Sequence, residues 1–342
     1  GPIRGRMMKH FAINQEILPY LYNVENGLGG ILDGFGYSFS PVLIAGQIGD
    51  PGFYNLPTTL PVTTESVTYT AAGVPVSDTY TGTTLWNLLA DAGGVTTTTA
   101  KNDILSKYVI ATGSDGYQAV FSLGEVDPSF GNQPVLVAYA DTAGQLGPNA
   151  SDGLARMVVP GDVAGGRYVS DLVSLKVASL PEPGPGGTGG ISPQLALSGA
   201  VADPTIVTPE TLSALNQSAT EKTTYLAGSS PVTDTYTGVP LWTLIQDAGL
   251  LTDPTIKNDV LRLAVVATGS DGYRAMISLG EIDPMFGNQK DLVAYSDTGG
   301  QLGPNGSDGA LRLIVPGDIA GGRYVSNLVS LQVIDATALH HS

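Results

Sequence analysis

The stretch that decides the fold occurs twice: ATGSDGYQAVFSLGEVDPSFGN spans residues 111–132, and ATGSDGYRAMISLGEIDPMFGN spans residues 267–288. A second shared stretch, VPGDVAGGRYVS at 159–170, returns as VPGDIAGGRYVS at 315–326. Asp115 and Asp271 lie 156 positions apart, and so do Arg167 and Arg323. Such a constant spacing indicates an internal duplication whose unit is large enough to fold by itself. The sequence therefore predicts two tandem domains of the same fold.

The repeats also set the expected domain boundaries. We predict an N-terminal arm over 1–40, a first domain over 41–180, a Pro/Gly linker over 181–190, a second domain over 191–335 and a tail over 336–342. The linker PEPGPGGTGG has no apolar side chain to bury. The arm has no counterpart in the second half; it begins with a basic cluster and continues with apolar and aromatic residues broken by glycines. Its two interpretations are packing on its own domain and docking on a neighbouring subunit.

Within each repeat the pattern predicts mostly strands with a few short helices. KYVIATG before the Ser-Asp-Gly turn and YQAVFSL after it favour a hairpin. Leu85, Leu88 and Leu89 have the spacing of one helical face, and a glycine follows to end that helix. These features predict an α+β fold that is mostly β.

The composition excludes several function classes. The 342 residues include 15 Lys and Arg against 31 Asp and Glu, a formal charge of −16, which disfavours nucleic acid and anionic membranes as partners. No apolar run is long enough for a membrane span. Cys is absent, and the three His residues lie outside the repeats, so a thiolate ligand and a Ser–His–acid triad are both excluded there. Abundant Gly, Thr, Ser and Ala with little Lys is typical of exported proteins, so we expect an extracellular or periplasmic location.

Several motifs stand in a fixed order in both repeats: a Gly-x-Ile/Val-x-Asp-Pro turn, YTG-x-x-LW, GSDGY, Glu-Val/Ile-Asp-Pro and PGD-x-AGGRYVS. In this order they resemble the molybdopterin-binding domain of the sulfite oxidase superfamily. The resemblance covers both repeats and implies tandem sulfite-oxidase-like domains built mostly on antiparallel sheet. In that family a cysteine thiolate ligates molybdenum just before the YTG segment. Here that region reads SVTYT at 66–70 and KTTYL at 222–226, so we expect no molybdopterin.

The GSDGY turns supply the first candidate ligand-binding residues. Asp115 and Tyr117 in the first repeat correspond to Asp271 and Tyr273 in the second. Ser-Asp-Gly is what a tight turn requires, because Asp bonds to its own backbone and Gly accepts positive φ. The alternative is that these residues line the mouth of a pocket.

The PGD-x-AGGR loops supply the second set, Asp162 with Arg167 and Asp318 with Arg323. The structural interpretation is a local ion pair that fixes each loop. The functional interpretation is an arginine whose planar fork is presented to a carboxylate or other oxyanion.

The Glu-Val/Ile-Asp-Pro loops supply a metal candidate. Oxygen-bearing side chains at close spacing suggest calcium, the one cofactor left open, although the simpler interpretation is a capped helical turn that starts at Asp-Pro. The residues are Glu125, Asp127, Asn132, Glu281, Asp283 and Asn288.

Three functions remain in view. The first is a non-catalytic exported structural protein that self-associates through residues 1–45, with filaments as one outcome. The second is a binding module that keeps a degenerate pocket for a small anion, a pterin or a metal ion. The third is a molybdenum oxidoreductase with unusual ligation. The absence of a catalytic Cys or His in either repeat favours the non-enzymatic functions.

Overall fold

The computed structural model describes residues 40–56, 59–146, 153–181, 187–302 and 308–338. Most of the arm, the middle of the linker and the end of the tail lie outside these ranges, so the predictions made for them stay predictions. The described chain is mostly β, with four five-stranded sheets and a few short helices. Each repeat contributes two of the sheets.

The first repeat forms one sheet in the order β2-β1-β10-β5-β6 and another in the order β3-β4-β7-β8, with β9 added on β7. All pairs are antiparallel except β1 with β10. Its strands are β1 (Ser40–Gly46), β2 (Gly52–Leu56), β3 (Thr63–Ala71), β4 (Val74–Thr84), β5 (Lys107–Gly113), β6 (Gln118–Ser122), β7 (Leu136–Asp141), β8 (Gly144–Gln145), β9 (Arg156–Val158) and β10 (Leu172–Ser179). Its helices are α1 (Leu85–Asp91) and α2 (Leu123–Val126), with 3-10 turns at Asp103–Ser106 and Gly165–Arg167.

The second repeat has the same topology, with sheets ordered β12-β11-β20-β15-β16 and β13-β14-β17-β18, and β19 added on β17. Its strands are β11 (Leu195–Gly199), β12 (Thr205–Val207), β13 (Ala219–Ala227), β14 (Ser230–Pro240), β15 (Leu263–Gly269), β16 (Arg274–Ser278), β17 (Leu292–Asp297), β18 (Gly300–Gln301), β19 (Arg312–Ile314) and β20 (Leu328–Asp335). Its helices are α3 (Pro209–Ala214), α4 (Leu241–Asp247) and α5 (Leu279–Ile282), with 3-10 turns at Asp259–Arg262 and Gly321–Arg323.

Local sequence explains the elements that carry the candidate residues. β5 and β6 form the predicted hairpin, with Tyr108 opposite Ser122 at its open end. Helix α1 buries Leu85, Leu88 and Leu89, as their spacing predicts, and the Thr84 hydroxyl caps its first turn. The Glu-Val-Asp-Pro loop has the expected capped turn at Asp-Pro, because Asp127 Oδ1 accepts the Ser129 N–H at 2.8 Å and its carbonyl accepts the Phe130 N–H at 2.9 Å. Helix α2, capped by Ser122, precedes this turn and ends at Asp127.

The two repeats pack against each other through reciprocal contacts. Phe130 of the first repeat belongs to the hydrophobic core of the second, and Phe286 of the second belongs to the core of the first. A third cluster is shared and includes Tyr108 and Met276, one from each repeat. The backbone N–H of Val163 donates to the Phe286 carbonyl at 3.0 Å, and that of Ile319 donates to the Phe130 carbonyl at 2.9 Å. The repeats therefore form one block with an approximate two-fold relation.

Candidate functional site

Arg167 lies buried at the centre of the first candidate set. Its Nε and Nη2 donate to the two carboxylate oxygens of Asp162 at 2.8 and 2.6 Å, and its Nη1 donates to Glu125 Oε1 at 2.5 Å. The 3-10 turn at Gly165–Arg167 aims the side chain inward, and helix α2 brings Glu125 to meet it. The local ion pair predicted from the sequence is confirmed, with Glu125 as a third member that sequence reasoning missed.

The second repeat builds the same arrangement around Arg323. Its Nε and Nη2 donate to Asp318 at 2.8 and 2.6 Å, and its Nη1 donates to Glu281. Both arginines are 2% exposed. Each guanidinium group is thus occupied by two carboxylates of its own repeat and is closed to solvent, so an external oxyanion reaches it only if the repeats separate.

These ion pairs lie at the contact between the repeats. A Cβ added to Gly124 would lie 2.5 Å from Cδ of Arg323, and a Cβ added to Gly280 would lie 2.8 Å from Cδ of Arg167. Glycine at these positions lets each arginine lie directly against the opposite repeat. Ser122 Oγ also donates to Glu281 Oε2 across the contact at 3.2 Å.

Burial shifts the titration of the carboxyl groups in this region. It raises the pKa of Glu125 to about 7, although the Arg167 charge acts in the opposite direction. Burial also raises the pKa of Asp162 and of Asp318, each against the lowering effect of its own arginine. These buried carboxyl groups therefore bind a proton more tightly than exposed ones do.

The GSDGY turns have the backbone bonds expected of tight turns, and the second of them also borders a cleft. Asp115 accepts the Tyr117 backbone N–H at 2.9 Å, and Asp271 does the same for Tyr273 at 3.0 Å, which confirms the turn chemistry. Asp271 and Tyr273 also line a cleft of about 730 Å³ between the second repeat and residues 101–102 and 129–130 of the first. Lys101 of the first repeat lies on the rim of this cleft, with Nζ 5.9 Å from the centre of the Tyr273 ring. The pocket-mouth interpretation is therefore geometrically tenable for the second turn.

A tyrosine–arginine cluster occupies the region where the sequence resemblance places a thiolate. Tyr69 of SVTYT is buried, and its hydroxyl accepts from Arg156 Nη2 at 3.1 Å. Arg156 Nη1 donates to the Tyr80 hydroxyl at 3.2 Å, and the guanidinium lies 5.5 Å from the Tyr168 ring centre. Arg312 makes the equivalent contacts in the second repeat with its own tyrosines. A filled cluster of phenol rings leaves no soft ligand there for a metal.

The calcium candidates have separate partners. Glu125 pairs with Arg167, and Glu281 pairs with Arg323. Asp127 and Asp283 each accept the backbone N–H two residues on, at 2.8 Å in both repeats. Asn132 and Asn288 adopt positive φ in their turns. Across the described ranges, no three His, Cys, Asp or Glu side chains converge in a way that could hold a metal ion.

Sequence reasoning missed Asp291, which has no charged counterpart in the first repeat. Its side chain is 1% exposed, and neither carboxylate oxygen has a hydrogen-bond partner in the part of the chain that the structure describes. The equivalent position in the first repeat is Val135. Aligning the two repeats exposes this Asp-for-Val difference, so the signal was present in the sequence.

Comparisons with known proteins give little further information. No family model matches the chain, and no curated protein matches it. Among solved structures, the sulfane dehydrogenase SoxCD from Paracoccus pantotrophus is similar at 13% sequence identity and a TM-score of 0.33. That match covers 84% of this chain and 77% of the other. It indicates a distant structural relationship only. No described helix has the length and apolar character needed to cross a membrane.

Proposed function

We propose that this protein is a non-catalytic structural unit, exported from the cell, that self-associates through the part of residues 1–45 that precedes β1. The observation that carries the proposal is the set of partners that the two buried arginines bind. Arg167 and Arg323 each bind two buried carboxylates of their own repeat and pack against a glycine of the other, so the groups best suited to act on a ligand are enclosed in the contact between the repeats. The ordered motifs support a relationship of each repeat to the sulfite oxidase superfamily in fold, without its metal chemistry.

The comparison between the repeats supports a binding role for the arm. β11 holds the same place in its sheet as β1, next to the final strand of its repeat. The second repeat completes that sheet with only the linker before β11, so the fold does not require an arm. A preceding segment that the domain does not need for its own core is available to a neighbouring molecule. Contacts of this head-to-tail kind build open chains when the rotation between copies does not close.

The test compares full-length variants in the arm. Leu18→Ser with Leu21→Ser removes apolar surface, whereas Arg4→Ser with Arg6→Ser removes charge and leaves the apolar residues in place. We expect light scattering and electron microscopy to show assemblies for the wild type and single molecules for the leucine variant. The charge variant separates electrostatic from apolar docking. A wild-type chain that stays monomeric at high concentration would refute the proposal.

The cleft lined by Asp271 and Tyr273 favours a second candidate, a binding module for a small anion or a pterin. Its volume of about 730 Å³ lies in the range of ligand pockets, and Lys101 brings a positive charge to its rim. The mirror residue is Lys257 of the second repeat, whose Nζ lies 5.8 Å from the centre of the Tyr117 ring of the first. Lys257→Ala is therefore the matched control for Lys101→Ala.

Calorimetry with a pterin, with molybdate and with calcium chloride tests this candidate. We expect heat on binding of an anionic probe that Lys101→Ala weakens and Lys257→Ala leaves unchanged. The absence of heat with all three probes would remove the candidate. Equal losses in the two lysine variants would place the binding outside this cleft.

A further inference from the structure

The contact between the repeats contains one more acid than its symmetry requires. The inter-repeat charge cluster consists of Glu125, Asp162 and Arg167 from the first repeat and Glu281, Asp291, Asp318 and Arg323 from the second. Six of these residues form two matching ion-pair triads. Asp291 is the seventh, and Val135 occupies its place in the first repeat. The contact therefore has to accommodate one carboxyl group for which the first repeat has no equivalent.

Asp291 is surrounded by charge yet bonded to none of it. The charged groups that face it are Glu281, Asp318 and Arg323 from its own repeat and Glu125 from the other. Both of its carboxylate oxygens lack a hydrogen-bond partner within the described residues, and so do Glu125 Oε2 and Ser278 Oγ. An ionised carboxylate in such a place would lose its hydration without compensation.

The charge balance of the cluster also disfavours an ionised Asp291. The cluster holds five carboxyl groups and two guanidinium groups, all of them buried. Full ionisation would leave an excess of three negative charges in a region that excludes water. Protonation of Asp291 alone reduces that excess to two and leaves every arginine–carboxylate pair in place. The closed contact therefore favours the neutral form of Asp291, because neither of its oxygens has a hydrogen bond that would stabilise the charge.

We propose that the contact between the two repeats is a proton-dependent closure, in which the repeats stay docked while Asp291 is protonated and loosen when it ionises. The direction of this pH dependence follows because the closed state holds the proton on Asp291 more tightly than the open state does. Burial, followed by repulsion from Glu281, raises the pKa of Asp291 well above its ordinary value. Closure is thus complete below the ordinary pKa of an exposed Asp and weakens as pH rises through the raised pKa. Each proton released on opening changes the opening equilibrium by about tenfold per pH unit.

Hydrogen exchange of the full-length protein measures this opening directly. The Val163 and Ile319 amides bridge the repeats, whereas the Met157 and Leu313 amides bond within a repeat, to Val169 and Val325 carbonyls. Exchange rates are divided by the intrinsic rate at each pH to remove ordinary base catalysis. As pH rises above 3.8, the ordinary pKa of an Asp, towards the raised pKa of Asp291, we expect the bridging amides of the wild type to lose protection, by up to about tenfold per pH unit. The internal amides should keep theirs.

The chain provides its own control substitutions. Asp291→Val installs the residue of the first repeat, and Asp291→Asn keeps the shape of the side chain but cannot ionise. We expect both variants to keep the bridging amides protected up to pH 9. Val135→Asp should add a second buried acid and shift the loss of protection to lower pH.

Three outcomes would overturn the proposal. If Asp291→Val and Asp291→Asn retain the wild-type pH dependence, another group controls the contact. If the internal amides lose protection in parallel with the bridging amides, ionisation acts on the whole fold and not on the contact. A Val135→Asp variant whose bridging amides keep the wild-type protection at every pH would also count against the proposal.

Discussion

Gly166 gives the sharpest test of how the repeats are joined. A Cβ added at this position would lie 2.9 Å from Cδ1 of Leu261 and still closer to the ring of Phe286, both from the other repeat. The two neighbours are 0% and 6% exposed, so neither can move aside into solvent. Gly166→Ala therefore overpacks a closed contact. We expect it to lower the free energy of unfolding by about 1–3 kcal/mol.

Urea unfolding followed by circular dichroism measures this loss, and a double substitution shows its cause. Phe286→Leu removes the ring that the new methyl group would meet. The combined variant should be less destabilised than the sum of the two single variants, by about 0.5 kcal/mol or more. The symmetry-related Gly322→Ala, which meets Phe130 and Leu105, should behave in the same way.

Gly299→Ala is the control, because its added Cβ would meet only the Asp297 side chain in an exposed turn. It should stay within about 0.5 kcal/mol of the wild type. The reasoning fails if Gly166→Ala is equally neutral, or if its effect adds to that of Phe286→Leu without coupling. Either result would mean that Phe130 and Phe286 do not pack into the core of the opposite repeat.

Further substitutions test three local features. Thr84→Ala removes the hydroxyl cap of α1 and should lower the free energy of unfolding in urea by about 1 kcal/mol. Pro240 lies at the equivalent cap of α4 and makes no side-chain hydrogen bond there. Pro240→Ala should therefore change the free energy of unfolding by no more than about 0.5 kcal/mol. Arg156→Met leaves its tyrosine partners without their donor, and we expect a loss of about 2–4 kcal/mol measured by thermal unfolding; no loss would show that the cluster is not cohesive. Tyr273→Phe removes bonds to Gly322 and to Asn102, so it should cost about 1 kcal/mol, and a following Asn102→Ala should cost less than it does in the wild type.

Local features were predictable from the sequence because their causes lie within a few residues. The β5–β6 hairpin, helix α1 and the Asp162–Arg167 pair all follow from short spacings. Helix α3 could also have been found, because Thr208 caps it and Pro209 opens it, a recognised start signal. The duplicated topology followed from the repeat itself.

The long-range part of the site could not be predicted in the same way. Glu125 lies 42 positions from Arg167, and the glycine that receives Arg167 belongs to the other repeat. Nothing in a single sequence states which faces of two domains will meet. The acids of the Glu-Val/Ile-Asp-Pro loops therefore suggested metal ligation, whereas the fold of each repeat pairs one of them, Glu125 or Glu281, with a buried arginine. Asp291 is the informative exception, because its mismatch with Val135 is visible in the aligned repeats.

Joining the two repeats in one chain has a consequence for how such a contact can evolve. In a dimer of identical chains, every substitution near the axis is made twice, so a single buried acid or a single large ring cannot be introduced alone. Here the shared cluster has Tyr108 from one repeat where the other has Ala264, and Val135 stands where the other has Asp291. Covalent linkage removes the requirement for identity, and each half is then free to specialise against the other.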